Sequence, residues 1–374
     1  MIVSKPTGPL RGMRVVEFAG LGPAPFAAMM LSDMGADVVR IDRKGTGGSR
    51  PTDITSRGRT SVELDLKDAR DVEAARALIN ASDVLIEGFR PGVMERMGLG
   101  PDDPGITNRK LIYARMTGWG QHGPLAKAAG HDINYIALSG ALASIGPAGG
   151  RPVPPLNLVG DYGGGALYLV AGILAARIEV LQSGEGQVVD CAMTDGVINM
   201  LTLFHSLAAE GQWDVSRREA NLLDGGAPFY RTYECKDGRY VAIGALEPQF
   251  YRLLCEKVGL ASPDFEDQNN VDGWPLLHRQ AEAIFRTRTR AEWCTVLEGT
   301  DACFAPVLTM EEAREHPHNA ARGSFIEIDG VSQAAPAPRF SRTPSRVQSP
   351  PPAHPASVED VLARWGAARV QAEV

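Results

Sequence analysis

With 374 residues, 44% of them hydrophobic, the chain carries more apolar material than one small core needs, and length alone predicts a globular protein of two domains. A formal net charge of −7 and a pI near 5.6 exclude a general affinity for nucleic acid or anionic membranes, while leaving room for local basic clusters that hold a phosphorylated small molecule. The five cysteines, Cys191, Cys235, Cys255, Cys294 and Cys303, form no CxxC pair, which argues against a metal site and for free thiols in a reducing compartment.

Met1-Ile2-Val3-Ser4-Lys5-Pro6 lacks the apolar core of a signal peptide, and Gln371-Ala372-Glu373-Val374 is not a peroxisomal tripeptide. The longest apolar run, Gly165 to Ala176, is too short to span a bilayer. The expectation is a cytoplasmic protein without membrane or nucleic-acid partners.

Arg14 to Phe18 reads as a buried strand, Gly20 to Pro25 as a turn, Phe26 to Met34 as a helix and Asp37 to Asp42 as a second strand, a βαβ opening. Gly20-x-Gly22 after the strand, with Asp42 ending the next one, imitates a dinucleotide fingerprint. The imitation fails at the third glycine, where Pro25 stands and close helix–strand packing wants no side chain. A basic strand-like stretch, Arg57 to Lys67, leads to a helix over 71–81 and strands at 84–86 and 111–115. Alternating elements predict a mostly parallel sheet covered on both faces, with Arg40, Arg43, Arg90 and Arg115 gathered at its carboxyl edge, where such sheets bind ligands.

Two apolar segments then open from polar, glycine-marked turns. Gly130-His131-Asp132-Ile133-Asn134-Tyr135 begins one, and Asn157-Leu158-Val159-Gly160-Asp161 precedes the other. An imidazole and a carboxylate, each at a helix entrance beside free backbone N–H groups, form a minimal kit for removing a proton from one face of a carbon and returning one to the other. The plain alternatives are a capping or core histidine, and an aspartate that N-caps its helix.

A strand running into a helix follows over 187–207, then a polar linker at 211–226. Phe229 to Glu234 and Tyr240 to Gly244, joined through Lys236-Asp237-Gly238, read as a hairpin; helices at 249–258, 277–286 and 290–298 and a strand near 305–308 complete a smaller α+β domain. Seven prolines between Pro336 and Pro355 mark an extended return segment, and 358–365 a short closing helix. The resulting division is a large domain over 1–210, the linker, a small domain over 227–325, and a segment over 326–374 that rejoins the large domain.

Several stretches together carry a specific resemblance: Pro9 to Glu17, Leu64-Asp65-Leu66-Lys67, Glu87-Gly88-Phe89-Arg90-Pro91-Gly92, Gly130 to Tyr135, Leu223 to Tyr230, Gly244 to Tyr251 and Gly299 to Cys303. The chain resembles the α-methylacyl-CoA racemases of the family III CoA-transferase fold over nearly its whole length. Thr60 departs from the family, which often has a second basic residue there; Gly88 stands where many transferases carry Asn, and fits the racemase branch.

The resemblance implies a Rossmann-like large domain with a small α+β domain in an interlocked homodimer, acting on 2-methyl-branched acyl-CoA. It implies that His131 and Asp161 are the two bases, that Glu247 supports His131 and that Asn157 lies just before Asp161. CoA contacts follow at Arg43, at Leu64, Asp65, Leu66 and Lys67, and along Gly130, Asp132, Ile133, Asn134 and Tyr135, to which the strand-end argument adds Arg40 and Arg90. No cofactor beyond CoA itself is needed, and no metal.

The expected reaction removes the α-proton of the thioester through an enolate, with the backbone N–H of Asp132 as the candidate donor to its oxygen. The nearest rival is a CoA-transferase in which Asp161 attacks the thioester and forms a mixed anhydride, a route with no need of an imidazole at 131. An NAD-dependent oxidoreductase and a non-catalytic CoA-binding protein are further rivals.

Overall fold

The computed structural model describes residues 7–46, 48–261 and 263–366. Both terminal stretches read for targeting signals, Met1–Pro6 and Gln371–Val374, lie outside the described residues. The chain divides into two compact units: one holds the residues up to Ser139, Leu156–Met200 and those from His318 onward, the other Gly140–Pro155 and Leu201–Pro317.

In chain order the elements are β1 (Arg14–Phe18), α1 (Pro23–Asp33), β2 (Asp37–Arg43), β3 (Arg59–Leu64), α2 (Ala69–Ala81), β4 (Val84–Glu87), α3 (Val93–Arg96), β5 (Ile112–Thr117), α4 (Asp132–Leu138), a π-helix (Leu158–Leu167) continuing into α5 (Tyr168–Ser183), β6 (Val188–Ala192), α6 (Met193–Met200) and α7 (Thr202–Ala209). Then come β7 (Tyr230–Glu234), β8 (Tyr240–Gly244), α8 (Pro248–Val258), α9 (Trp274–Phe285), α10 (Arg290–Leu297), β9 (Phe304–Pro306), α11 (Met310–Glu315), α12 (Pro317–Ala321), β10 (Phe325–Ile328), β11 (Val331–Ala334) and α13 (Val358–Arg364).

The first unit is built on a six-stranded sheet in the order β3-β2-β1-β4-β5-β6, parallel throughout, with Val16 beside both Val39 and Leu85. Its central strands are apolar on both faces because both are covered. Val15, Val38, Ile86 and Ala114 face α1 and α5 through Ala27, Leu31, Leu169 and Ile173. Their neighbours Val16, Val39, Leu85 and Tyr113 face α2 and α13 through Leu78, Ile79, Val361 and Leu362. The predicted Rossmann-like parallel sheet is present.

Charged residues of the strands are paired inside this sheet. Glu17 in β1 meets Arg59 in β3 at 3.1 Å with both side chains almost wholly buried. Arg57 joins Asp33 at 2.5 Å and donates to Gln333 of the β10–β11 hairpin at 2.8 Å.

The π-helix and α5 run on as one helix, Leu158–Ser183, of 26 residues. By length and composition it is long and apolar enough to cross a membrane, which corrects the estimate from the shorter run 165–176. Leu169, Ile173 and Ala176 are buried in the core under the sheet, while Leu167, Ile178 and Leu181 are exposed.

The second unit carries an antiparallel sheet, β7-β8-β9, whose hairpin turns at Gly238 with φ +72°. Phe229, Tyr233, Val241, Leu254, Trp274, Phe285 and Trp293 form its core. The polar stretch 211–226 lies within this unit and is ordered by Asp224, whose carboxylate accepts from the backbone N–H groups of Asn221 (2.8 Å) and Gly226 (3.0 Å).

Candidate active site

Strand order reverses between β1 and β4, and the loops after these two strands part there to leave a crevice at the carboxyl edge of the sheet. A cavity of about 350 Å3 occupies it, lined by Gly20 to Ala24 after β1, Gly88 to Pro91 after β4, Trp119 after β5, His131, Tyr135 and Asp161. The imidazole and carboxylate picked out from the sequence, thirty residues apart, therefore share one cavity.

His131 is the N-cap of α4, and its backbone N–H donates to Asn134 Oδ1 at 3.0 Å. Its side chain stands exposed at the cavity wall. Asp161 is not a helix cap: Asn157 holds that position, and Asp161 lies inside the first turn of the π-helix. The wide i→i+5 helix is a rare form that recurs at functional sites. Here it is glycine-rich, and Gly164 packs so closely on Gly196 of α6 that a side chain at 196 would run into the Gly164 carbonyl.

Asn157 Nδ2 donates to Asp161 Oδ2 at 3.1 Å, and the backbone N–H of Asp161 donates to Asp132 Oδ1 at 2.7 Å. Burial raises the Asp161 carboxyl above its ordinary value; the Asn157 bond works against this, the Asp132 charge adds to it, and the His131 charge opposes it. Gly22, with φ +72°, lies so near that an added Cβ would stand 3.0 Å from Asp161 Oδ2. The second glycine of the false dinucleotide fingerprint thus makes room for a carboxylate rather than a pyrophosphate.

Tyr135 also lines the cavity. Its hydroxyl donates to the Gly130 carbonyl, its ring meets Trp119 edge-on at 4.8 Å, and Gly118 and Gly130 have no Cβ to obstruct it. Burial, then the Asp161 charge, raises its phenol, while Arg90 acts the other way. Ile133 and Asn134 are exposed on α4.

The strand-end arginines divide. Arg90 lines the cavity and Arg43 is exposed at the end of β2. Arg40 and Arg115 do not join them. Arg40 bonds Asp42, Ser56 (2.6 Å) and Ser49 (2.8 Å) through its three guanidinium nitrogens. Arg115 is buried in β5 between Glu87 and Glu95, at 2.8 Å from each. Both occupy strand interiors, where a cation persists only when paired.

Leu64 is buried at the end of β3; Asp65 turns the chain, its carboxylate accepting from the Lys67 N–H at 3.1 Å and its own N–H donating to Asp71 at 2.8 Å, with Leu66 half-buried and Lys67 exposed. In the second unit Glu247 is the exposed N-cap of α8. Gln268 Nε2 fixes the turn before it by donating to the carbonyls of Ala245 (3.0 Å) and Leu246 (2.9 Å).

Sequence reading missed Gly22, Trp119 and the Asp132 carboxylate. For Trp119 a signal existed in the Gly118-Trp119-Gly120 turn directly after a strand. Among the described residues no three His, Cys, Asp or Glu side chains are placed to share a metal ion, and the five cysteines are free thiols.

The sheet order and the cavity at its switch point, with an imidazole and a carboxylate in the wall, are those of an open α/β fold that takes its ligand at the carboxyl edge of the sheet. Residues 10–356 match the CoA-transferase family III model, and the chain belongs to that family. It is 48% identical to the mouse alpha-methylacyl-CoA racemase and 46% identical to the human one, in each case over 90% of this chain and 87% of the relative. It is 28% identical to human succinyl-CoA:glutarate CoA-transferase over 92% of this chain and 83% of that one. Among solved structures it is similar to a Mycobacterium tuberculosis protein described as hypothetical, with a TM-score of 0.80 and 26% identity over 97% of this chain and all of that one. A CAIB/BAIF family protein from Brucella suis shares the fold, with a TM-score of 0.80 and 24% identity over 96% of this chain and all of that one.

Proposed function

We propose that this chain is an isomerase that interconverts the (2R) and (2S) forms of 2-methylacyl-CoA thioesters by two-base proton transfer. The observation that carries the reading is that His131 and Asp161 line one cavity, with the carboxyl of Asp161 raised by burial. The racemase names of the mouse and human relatives support it.

Neutral His131 takes the α-proton from one face of the thioester, and the electron pair moves onto the carbonyl oxygen as an enolate. The N–H of Asp132, in the first turn of α4, is the donor proposed for that oxygen. Protonated Asp161 then returns a proton to the other face, leaving an imidazolium and a carboxylate; the opposite isomer uses the opposite microstate. The working pair holds one proton. Burial raises the Asp161 carboxyl, which favours the protonated form that this step needs.

Arg43, Lys67 and Arg90 are assigned to the CoA phosphates, and the reaction needs no cofactor beyond the substrate's own CoA. Glu247 is assigned a supporting role to His131 within a homodimer, whose contact face would include the exposed Leu167, Ile178, Leu181, Val188 and Ile198 of the first unit. The free cysteines suit a cytoplasmic setting.

The test is incubation with a single isomer of a 2-methylacyl-CoA in deuterated water. One deuteron at the α-carbon together with inversion is expected. CoA transfer to a free carboxylic acid without deuterium uptake would replace the reading with the mixed-anhydride route through Asp161. Co-expressing His131→Ala and Glu247→Ala chains tests the contact across the homodimer: activity is expected to reappear in the mixed dimer, and a mixed dimer no more active than its parents would mean that the contact is within one subunit or does not exist.

A further inference from the structure

The backbone N–H of Asp161 donates to Asp132 Oδ1 at 2.7 Å, the short length of a bond to a charged acceptor. Asp132 directly follows His131 and is 7% exposed, so this single bond joins the chain that carries one base to the chain that carries the other. The second oxygen, Oδ2, is buried without a partner. A carboxylate held this way costs stability, and such departures from full hydrogen bonding are found where function maintains them. The residue before Asp161 is Gly160, and a Cβ there would collide with Asp132 Oδ1. The tie therefore requires glycine at 160 as well as a carboxylate at 132.

We propose that Asp132 is a positioning residue that sets the separation of the two bases by tethering the backbone of Asp161 to the start of α4. The proposal rests on the reading of His131 and Asp161 as those bases. An acidic residue in the first turn of a helix also stabilises that helix, and this local role alone would leave the chemistry unchanged. Tethering predicts otherwise, because a shift of about 1 Å in a reacting group can cost on the order of 100-fold in rate.

Two substitutions separate the roles. Asp132→Ala removes the tether; kcat is expected to fall about 30- to 100-fold with KM changed less than about threefold. Asp132→Asn keeps an oxygen that accepts from the Asp161 N–H and removes only the charge. That charge favours the protonated form of Asp161, so its loss lowers the affinity of Asp161 for its proton. The acid limb of kcat/KM is then expected to move to lower pH, with kcat within a few-fold of wild type.

Deuterium exchange by the wild-type protein is the control. If the wild type does not exchange, the racemase reading fails. If it does, and Asp132→Ala matches its kcat or Asp132→Asn, which keeps the acceptor, loses as much kcat as Asp132→Ala, the tether is overturned. Should Asp132→Ala not fold, Gly160→Ala decides, since its Cβ would collide with Asp132 Oδ1 and break the same tie: a lowered kcat is expected, and wild-type kcat overturns the tether.

Discussion

Replacing Arg59 with Met strips the buried Glu17 of its counter-charge. Glu17 is fully buried, Arg59 Nε lies 3.1 Å from its Oε2, and the same guanidinium donates to the carbonyls of Arg57 and Pro25. Burial already pushes Glu17 above the usual carboxylate range against the pull of Arg59. Left alone, the carboxylate sheds its charge by taking up a proton, which limits the penalty. At pH 7 that uptake costs about 1.36 kcal/mol for each of the roughly 2.7 pH units above an unfolded Glu value of about 4.3, or about 3.7 kcal/mol. The two carbonyls that lose their donor add about 1 kcal/mol.

The expected destabilisation is therefore about 4 to 5 kcal/mol at pH 7, within the range for a broken buried pair. In the variant the folded-state value lies above the unfolded one, so the deficit grows as pH rises above the unfolded value and shrinks below it. At pH 5.5 it should be about 2.5 kcal/mol. Urea unfolding at the two pH values measures both, and Glu17→Met combined with Arg59→Met should recover most of the loss because nothing charged is then left inside. A single variant weakened by less than about 1 kcal/mol, or equally at both pH values, would mean that Glu17 is already neutral beside Arg59.

Gly22→Ala places a methyl group 3.0 Å from Asp161 Oδ2 on a backbone with φ +72°; kcat should fall about 10- to 100-fold with a stability loss of about 1 to 3 kcal/mol, and wild-type turnover would show that the carboxylate has room to move. Gly196→Ala drives a Cβ into the Gly164 carbonyl and should destabilise by about 1 to 3 kcal/mol in urea; an unchanged midpoint would disprove the close helix packing. Asn157→Ala removes the donor that holds Asp161 down, so the acid limb of kcat/KM should move to higher pH, the reverse of Asp132→Asn, and a limb that stays put would mean the bond does not reach the carboxylate. Arg43→Ala should raise KM and flatten its dependence on salt; if neither changes, the CoA phosphates bind elsewhere.

The sheet was legible because parallel strands covered on both faces concentrate β-branched and aromatic residues, Val15, Val16 and Phe18 within Arg14–Phe18 and Val38, Val39 and Ile41 within Asp37–Arg43, even where a buried charge interrupts them. His131 was legible because a polar turn opening an apolar helix marks an N-cap. Asp161 was found but not its setting: four residues between Leu158 and Leu167 are glycine, and such a stretch carries no periodicity by which an i→i+5 helix could be told from a loop. Arg40 and Arg115 were misplaced for a different reason. A sequence does not distinguish a solvated arginine at a strand end from one neutralised inside the strand when the partners, Ser56 and Glu87 among them, are 16 and 28 residues away.

The helix α13 packs with α2 over the sheet face of Val16, Val39 and Leu85, although hundreds of residues separate it from them in the chain. Trp365 reaches back to Asp37 at 2.8 Å, and the backbone N–H of Ala356 donates to the carbonyl of Ser61 at 2.7 Å. During vectorial synthesis the strands β1 to β4 therefore leave the ribosome with this face covered by α2 alone, and the part that α13 covers stays bare until Val358 to Trp365 have been made. Over that interval the nascent sheet displays the surface that chaperones bind. A chain halted before Val358 should be held by them or degraded, even with every residue of the cavity already in place.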